Sequence, residues 1–179
     1  MPMSPRLPWP TVACATVLAL GAAIATYSAL SDDDGAGPPE VELVPDELSF
    51  TTFDDELVPV ASLDGTPTVV NFFASTCVPC ITEMPAFEQV HADLGDQVTF
   101  LGLAVQDRPE DALDLVDQTG VTYRTAQDPD ASVFNALGAV VLPTTVLLDA
   151  DGDVLATKLG ALDEGELRTL LADELGIPS

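Results

Sequence analysis

The sequence predicts an α/β domain in which helices cover both faces of a central mixed sheet. Two observations lead to this prediction. Short, almost continuously apolar runs, typical of strands buried on both faces, alternate with runs whose apolar residues recur every three or four positions, as in helices. Near the carboxyl end, Asp151-Gly152, a dipeptide favoured in tight hairpin turns, separates two further apolar runs and is followed by a last helix.

The predicted elements begin at Leu48 and follow one another closely. The strands are predicted over residues 48–53, 57–61, 67–74, 98–105, 122–123, 144–149 and 154–159. The helices are predicted over residues 79–94, 110–119, 130–137 and 163–175. We expect the first two strands to form a β-hairpin around Asp54-Asp55, which would extend the sheet at the amino-terminal side of the domain.

The spacing of apolar residues predicts which helix faces are buried. In the helix over 110–119 we expect Ala112, Leu113 and Val116 to point inward, and Gly120 to end the helix. In the helix over 79–94 the predicted inward residues are Ile81, Met84, Phe87, Val90 and Leu94.

The charge of the chain excludes several classes of function. Asp and Glu number 30 against 5 Lys and Arg, and the formal net charge is −25 at pH 7. Such a negative field repels phosphate backbones, which excludes nucleic-acid binding through a basic groove and docking on anionic lipid by surface charge. Because 47% of the residues are hydrophobic, the chain is nevertheless apolar enough to fold as one compact domain.

The amino-terminal part predicts a membrane segment. No charged residue occurs between Leu7 and Leu30, and this stretch exceeds the roughly 20 apolar residues that a membrane-spanning helix needs. Arg6 precedes the stretch and Asp32 follows it. The positive-inside rule therefore places the folded part of the chain outside the cytoplasmic membrane.

A cleaved signal peptide is the alternative to an anchor. Ala23-Ile24-Ala25 has the small-x-small form that a signal peptidase accepts, and cleavage there would release a secreted protein. We divide the chain into an anchor or signal segment over 1–30, an acidic Pro- and Gly-rich linker over 31–47, and a folded domain over 48–179.

Two of the three cysteines, Cys77 and Cys80, lie in the predicted domain. They occur in Cys77-Val78-Pro79-Cys80, where a buried strand ends and a helix begins, so that unpaired backbone N–H groups point toward the first thiol. This environment lowers the pKa of the thiol and makes it a nucleophile. We expect Cys77 to attack and Cys80, one turn further, to close the disulfide. A fixed structural disulfide is less favoured, because so short a loop restrains the unfolded chain little.

Other uses of two cysteines fit these residues poorly. Covalent haem attachment needs His directly after the second cysteine, and Ile81 stands there. A structural zinc ion needs four ligands, and the domain offers only His91 besides the cysteines. We expect His91 to face solvent, because it follows the inward residue Val90. We therefore expect no metal, and no cofactor beyond the redox-active disulfide itself.

The run Val70-Asn71-Phe72-Phe73-Ala74-Ser75-Thr76-Cys77-Val78-Pro79-Cys80 with Glu83-Met84-Pro85 resembles the thioredoxin-like TlpA/ResA family of membrane-anchored thiol-disulfide oxidoreductases. The resemblance extends from about Leu48 to the carboxyl end and includes Leu142-Pro143-Thr144-Thr145. It implies a thioredoxin fold with an amino-terminal β-hairpin extension. It also implies reduction of disulfides in extracytoplasmic proteins, a membrane thiol electron donor, and cytochrome c maturation as one use.

The resemblance implies roles for four further residues. Pro143 is implied to be a cis proline that faces the disulfide, between Leu142 and Thr144, where the backbone stays free to pair with an extended substrate. Glu83 is implied to tune the cysteines, and a part-buried carboxylate there is suited to take the proton of Cys80. Asn71 replaces the buried Asp of thioredoxin, so the role of base passes to Glu83 or to water.

The sequence departs from the family pattern at Phe73 and Thr76, where tryptophan is frequent. Loss of the aromatic side chain before Cys77 weakens the apolar surface that would hold a substrate. Two alternative functions stay open: a disulfide-forming oxidant on the same fold, and a non-catalytic module that binds partner strands in the groove beside Pro143.

Overall fold

A computed structural model describes residues 48–63 and 65–177 of the chain. The predicted anchor or signal segment over 1–30 and the predicted linker over 31–47 lie outside these residues, so their assignment stays a prediction. No helix among the described residues combines the length and the apolar character that a membrane crossing requires.

The strands of the described part form one mixed sheet. They are β1 (Ser49–Thr51), β2 (Leu57–Pro59), β3 (Thr68–Phe73), β4 (Thr99–Val105), β5 (Arg124–Asp128), β6 (Thr144–Leu148) and β7 (Val154–Leu159). The α-helices are α1 (Val78–Leu94), α2 (Pro109–Thr119), α3 (Ser132–Ala136) and α4 (Glu164–Leu175), and a 3-10 turn spans Val60–Leu63.

The order of strands in the sheet is β2-β1-β5-β4-β3-β6-β7. Strand β3 pairs in parallel with β4 and antiparallel with β6. Strands β1 and β2 form the predicted antiparallel hairpin, which joins the sheet where Thr51 of β1 pairs with Gln127 of β5. The α/β class, the mixed sheet and the hairpin extension are therefore confirmed.

Strand β3 lies between two hydrophobic cores, and each of its residues is buried. Because side chains alternate along a strand, Val69 and Phe73 belong to the core that α1, α2 and α4 cover. Val70 and Phe72 belong to the core on the other face, which includes residues of α3 and the hairpin. Every position of β3 thus packs against another layer, which explains its almost continuous apolar sequence.

Strand β5 differs most from its prediction. The sequence predicts a strand over 122–123, whereas β5 begins at Arg124 and ends at Asp128. Its polar residues are accommodated because β5 pairs with β4 on one side and β1 on the other. Gln127 also donates a side-chain hydrogen bond to the Thr52 carbonyl, at 3.1 Å. Backbone pairing, rather than apolar content, stabilises this strand.

Three predictions of burial are wrong. Leu113 is 42% exposed, and Leu115 is buried in its place beside Ala112, because residues three apart share a face of α2. Ile81 is 38% exposed on α1. His91 is half-buried instead of facing solvent: its ring packs edge-on against the rings of Phe100 and Tyr123, at centroid distances of 5.3 and 5.8 Å.

Candidate active site

The site lies where β3 leads into α1. Cys77 is the N-cap of α1, and its Sγ accepts a hydrogen bond from the Cys80 backbone N–H at 3.3 Å. The Cys77 N–H in turn donates to the Ala74 carbonyl at 3.0 Å. Pro79 fits the first turn of the helix, because a backbone N–H there has no partner within the helix to lose.

Cys77 and Cys80 form a disulfide, with a distance of 5.3 Å between their Cα atoms. The two sulfurs differ in access. Cys77 is half-buried at the surface, whereas Cys80 is completely buried. A partner thiol or disulfide that approaches from solvent can therefore reach the Cys77 side of the bond only.

Glu83 lies one helical turn after Cys80 and is only 2% exposed. Its Oε1 accepts a hydrogen bond from Asn71 Nδ2 at 2.8 Å, and its Oε2 accepts one from the Leu162 backbone N–H at 3.1 Å. Burial raises the pKa of this carboxyl from 4.5 to about 7, and the bonds from Asn71 and Leu162 oppose that rise. At neutral pH the group can therefore both accept and release a proton.

Leu142, Pro143 and Thr144 lie at the same end of the central strands as the disulfide. Thr144 at the start of β6 pairs with Phe72 near the end of β3, and the chain continues from that end to Cys77. The Leu142–Pro143 peptide bond is cis, the geometry that the resemblance implies for this proline.

The backbone around Pro143 is less free than expected. The Pro143 carbonyl accepts a hydrogen bond from Gly160 N–H at 2.9 Å, and Thr144 pairs with strands on both sides. Within the part of the chain that the structure describes, no residue forms a hydrogen bond to the backbone N–H or carbonyl of Leu142. Leu142 is thus the residue of the three that can offer its backbone to a partner strand.

Exposed apolar side chains adjoin both segments of the site. We call Val78, Val140 and Val141 the apolar rim; they are 70%, 74% and 49% exposed. Val78 directly follows Cys77, and the other two directly precede Leu142. The rim supplies apolar surface that the sequence analysis did not identify, although Phe73 is completely buried and cannot contribute to it.

Sequence reasoning also missed the partners of Glu83. The Asn71 amide cannot act as a base, but it donates a hydrogen bond to Glu83 that the sequence does not predict, and the Leu162 donor is a backbone group with no sequence signal. Among residues 48–63 and 65–177, no group of three or more His, Cys, Asp or Glu side chains is arranged to hold a metal ion.

A thioredoxin-like sheet with an accessible disulfide at the start of a helix defines a thiol-disulfide oxidoreductase that works by dithiol-disulfide exchange. The chain belongs to the Redoxin family, whose model matches residues 39–173. This membership, together with the relatives below, confirms the resemblance to TlpA/ResA-type proteins.

Two relatives and one solved structure show the similarity. The chain is 27% identical over 130 residues to thiol-disulfide oxidoreductase ResA of Halalkalibacterium halodurans, covering 72% of this chain and 71% of that protein. It is 34% identical over 116 residues to thiol:disulfide interchange protein DsbE of Xylella fastidiosa, covering 62% and 58%. A secreted Mycobacterium tuberculosis disulfide oxidoreductase, described as homologous to E. coli DsbE, matches with a TM-score of 0.63 at 26% identity, covering 70% and 95%.

Proposed function

We propose that this oxidoreductase works as a reductant of disulfides in extracytoplasmic proteins, with Cys77 as nucleophile, Cys80 as resolving thiol and Glu83 as proton acceptor. Its redox-active group is the Cys77–Cys80 pair itself, with no further cofactor. The observation that carries the proposal is the site's lack of basic charge: no Lys or Arg occurs between Ser75 and Pro85 in a chain whose formal net charge is −25.

The difference in burial supports the roles of the two cysteines. In the reduced protein Cys77 is the thiol that solvent and substrate reach, and the positive end of α1 favours its thiolate. The thiolate attacks one sulfur of a substrate disulfide, a mixed disulfide forms, and the other substrate sulfur leaves as a thiolate that takes up a proton from solvent.

The second step needs a base for the buried thiol. Cys80 loses its proton to the Glu83 carboxylate, and the Cys80 thiolate attacks the Cys77 sulfur of the mixed disulfide. The bond between Cys77 and the substrate breaks, the second substrate sulfur leaves as a thiolate that takes up a proton from solvent, and the Cys77–Cys80 disulfide forms. Two electrons pass to the substrate, and Glu83 then gives its proton to solvent, which its pKa of about 7 permits.

Electrostatics favour the reducing direction. A strong oxidant of this type stabilises its reduced form, usually by stabilising the thiolate. Here the net negative charge of the chain opposes a thiolate, no Lys or Arg occurs in the segment from Ser75 to Pro85, and the Cys80 N–H is the one donor to Cys77 Sγ among the described residues. The reduced form is therefore a comparatively strong electron donor.

Leu142 and the apolar rim are suited to hold the substrate. The Leu142 backbone groups can pair with an extended segment, as in β-strand addition, beside Pro143 and Thr144. Val78, Val140 and Val141 can cover apolar side chains of that segment. The partner is thus a disulfide-containing protein with an accessible extended stretch, not a nucleic acid, which the acidic charge repels.

The location follows from the amino-terminal sequence. The uncharged stretch between Leu7 and Leu30 would hold the domain at the outer face of the cytoplasmic membrane, and the related Mycobacterium tuberculosis protein is described as secreted. Because that side of the membrane tends to oxidise thiols, a membrane thiol donor would have to reduce Cys77–Cys80 again. Reduction of haem-attachment thiols in cytochrome c maturation is one use that the family suggests.

The reduction potential of the Cys77–Cys80 pair tests the direction. The purified full chain would be equilibrated with glutathione and dithiothreitol buffers and the oxidised fraction measured. A potential near or below about −250 mV would support a reductant, whereas one near about −120 mV would make the protein a disulfide donor. Partner binding that survives in Cys77→Ser, without any exchange in the unaltered chain, would instead indicate a binding module.

The anchor is tested by cell fractionation. A protein that stays in the membrane fraction after alkaline carbonate washing, at the mass of the full chain, supports an anchor. A shorter protein in the soluble extracytoplasmic fraction, beginning after Ala25, supports signal cleavage.

A further inference from the structure

Asn71 occupies a buried position at the centre of the sheet. It is 1% exposed and pairs with Gly102 of β4 on one side and Thr145 of β6 on the other. Its side chain points to the face that α1 covers, where its Nδ2 donates to Glu83 Oε1 at 2.8 Å. The two residues thus connect the strand before the disulfide with the helix after it.

The buried amide of Asn71 lowers the stability of the folded protein. Its Oδ1 is buried without a hydrogen-bond partner among the described residues. A buried polar atom without a partner destabilises a fold, and an apolar side chain would avoid this loss in a strand that is otherwise apolar at Val69, Val70 and Phe72. The hydrogen bond to Glu83 is the side-chain contact that accounts for an amide at this position.

We propose that Asn71 is a positioning residue of the exchange reaction, whose amide holds the Glu83 carboxyl through the Nδ2–Oε1 hydrogen bond so that this carboxyl can accept the proton of Cys80. This inference rests on the proposed role of Glu83. It assigns a task to a residue that touches neither the sulfurs nor the substrate.

An amide suits this task better than a carboxyl. The N–H group of Asn71 stabilises the ionised form of Glu83, which is the form that accepts a proton. A carboxylate at position 71 would place two acids within hydrogen-bonding distance, and both could not ionise together. Strand β3 of this protein thus supplies the amide and helix α1 the acid.

The other groups around Glu83 do not replace this donor. Asp163 and Glu166 line the same cavity as Glu83 and carry the same charge. Burial, followed by the charges of Glu83 and Glu88, raises the pKa of the Tyr123 phenol, whose hydroxyl forms no hydrogen bond within the described residues. The Leu162 N–H binds the other carboxylate oxygen, Oε2. Asn71 is therefore the side-chain donor to Glu83 in this environment.

The test follows the second step of the reaction in isolation. The reduced full chain carries Cys14→Ser, so that only the thiols of Cys77 and Cys80 can react, and the chain with this change alone serves as the unaltered chain of the comparison. It is mixed with dithiodipyridine, which first forms a mixed disulfide at Cys77 and then releases a second thiopyridone when Cys80 attacks. The rate of the second release, measured by stopped-flow absorption as a function of pH, reports proton transfer from Cys80. We expect Asn71→Leu to raise the midpoint of this profile by about one pH unit and to slow the release about fivefold at pH 7.

Exchanging the two groups gives a second, independent test. Asn71→Asp alone places two acids together and should raise the midpoint further. Glu83→Gln alone removes the titrating carboxyl, so the pH profile of the second release should lose its midpoint. The double variant Asn71→Asp/Glu83→Gln again has one amide and one carboxyl, so we expect it to release the second thiopyridone at least about fivefold faster at pH 7 than Glu83→Gln.

Thr145→Val is the matched control. Thr145 is completely buried on the same sheet face, its hydroxyl has no partner among the described residues, and it forms no hydrogen bond to Glu83. We expect its profile to match that of the unaltered chain. The inference is overturned if Asn71→Leu leaves the profile unchanged, if Thr145→Val shifts it equally, or if the double variant is no faster than Glu83→Gln. Should Asn71→Leu fail to unfold cooperatively, the double variant decides.

Failure of the proposed function looks different. If the unaltered chain releases only one thiopyridone, or if Glu83→Gln keeps the unaltered profile, then Glu83 is not the proton acceptor. If the unaltered chain and Glu83→Gln behave as proposed, but the Asn71 variants have the same pH profile as the unaltered chain, only the positioning role of Asn71 is wrong.

Discussion

Asp107, which follows β4, accepts hydrogen bonds from both the backbone N–H and the hydroxyl of Ser75, two residues before Cys77. The Ser75 hydroxyl lies 2.8 Å from Asp107 Oδ1, and the same oxygen accepts the Arg108 N–H at 3.0 Å. The turn into the active-site helix is thus held by a carboxylate from the loop that follows the neighbouring strand β4.

Replacing Asp107 by Ala should lower the free energy of unfolding by about 2 kcal/mol, because the Ser75 N–H and hydroxyl lose a charged acceptor in a part-buried place. Urea unfolding of the oxidised protein measures this loss. Asp114, exposed on α2 and without a side-chain hydrogen bond among the described residues, is the control. We expect Asp114→Ala to stay within about 0.5 kcal/mol of the unaltered chain. Equal losses in both variants would contradict the role of Asp107.

Glu83 makes stability depend on pH in a defined direction. Its pKa is 4.5 in an ordinary environment and about 7 in the folded protein. Between these values the folded protein holds a proton that the unfolded chain has released, so this contribution is complete below 4.5 and is lost as the pH rises through 7. The folded protein therefore becomes less stable across this window on account of Glu83.

Glu83→Gln removes this pH dependence. We expect the free energy of unfolding of the variant, relative to the unaltered chain, to rise by about 3 kcal/mol between about pH 4 and about pH 8. Urea unfolding at both pH values gives the difference. A difference that stays constant with pH would show that the folded protein does not retain the Glu83 proton.

The cysteine roles predict which variant traps a partner. In Cys80→Ser, Cys77 still attacks but nothing resolves the mixed disulfide, so adducts with substrate proteins should accumulate. In Cys77→Ser, the thiol of the pair that remains, Cys80, is completely buried and should form few adducts. Non-reducing gel electrophoresis, with the double variant as control, compares the two. Adducts mainly in Cys77→Ser would reverse the assignment.

The apolar rim should affect protein substrates more than small ones. We expect Val78→Ser or Val141→Ser to raise KM for a disulfide-containing protein about fivefold, because each loses apolar contact with the partner. The rate with a small disulfide should stay nearly unchanged, since such a molecule needs only the exposed sulfur. Leu113→Ser, which alters an exposed apolar residue on α2, away from the rim, is the control. Equal effects of all three variants would exclude a specific contact at the rim.

The excess of negative charge predicts a response to salt. Raising NaCl from about 0.1 M to about 1 M shortens the Debye length from about 10 Å to about 3 Å and weakens the mutual repulsion of 30 acidic side chains. We expect Tm to rise by several degrees, and to rise less in sucrose at matched osmolality. A Tm that falls in salt would mean that ion pairs such as Arg168 with Asp93 and Glu164 outweigh the repulsion.

The sequence is sufficient to predict the bounds of elements whose buried residues follow a regular pattern. Strand β3 and helix α1 were predicted nearly to the residue, because β3 packs on both faces and α1 buries residues such as Met84 and Phe87 at helical spacing. The position of the cysteine pair then follows from chain connectivity alone. Strand β5 failed because its stabilisation comes from backbone pairing with two neighbours, which leaves no apolar pattern to recognise.

The contacts of the site were less predictable than its residues. Glu83 binds Asn71, twelve residues earlier, and the Leu162 backbone, 79 residues later, so both contacts exist only once α1 has packed on the sheet. Asp107 is one of 30 acidic residues, and nothing in its local sequence distinguishes it. A reactive group formed by residues close in sequence, such as the cysteine pair, can be predicted from the sequence. Contacts between residues that are distant in sequence, such as those of Glu83 and Asp107, cannot.

The place of β3 between β4 and β6 has a consequence for synthesis. A ribosome completes Cys77 and Cys80 well before it reaches Thr144–Leu148, so the nascent chain carries both thiols while one edge of β3 still lacks its partner strand. Leu142 and Pro143 are synthesised immediately before β6, the strand that completes the pairing of β3. Chains that terminate after α3 would expose the unpaired edge of β3 to chaperones and proteases, and the part of the sheet that receives substrate is among the last to be made.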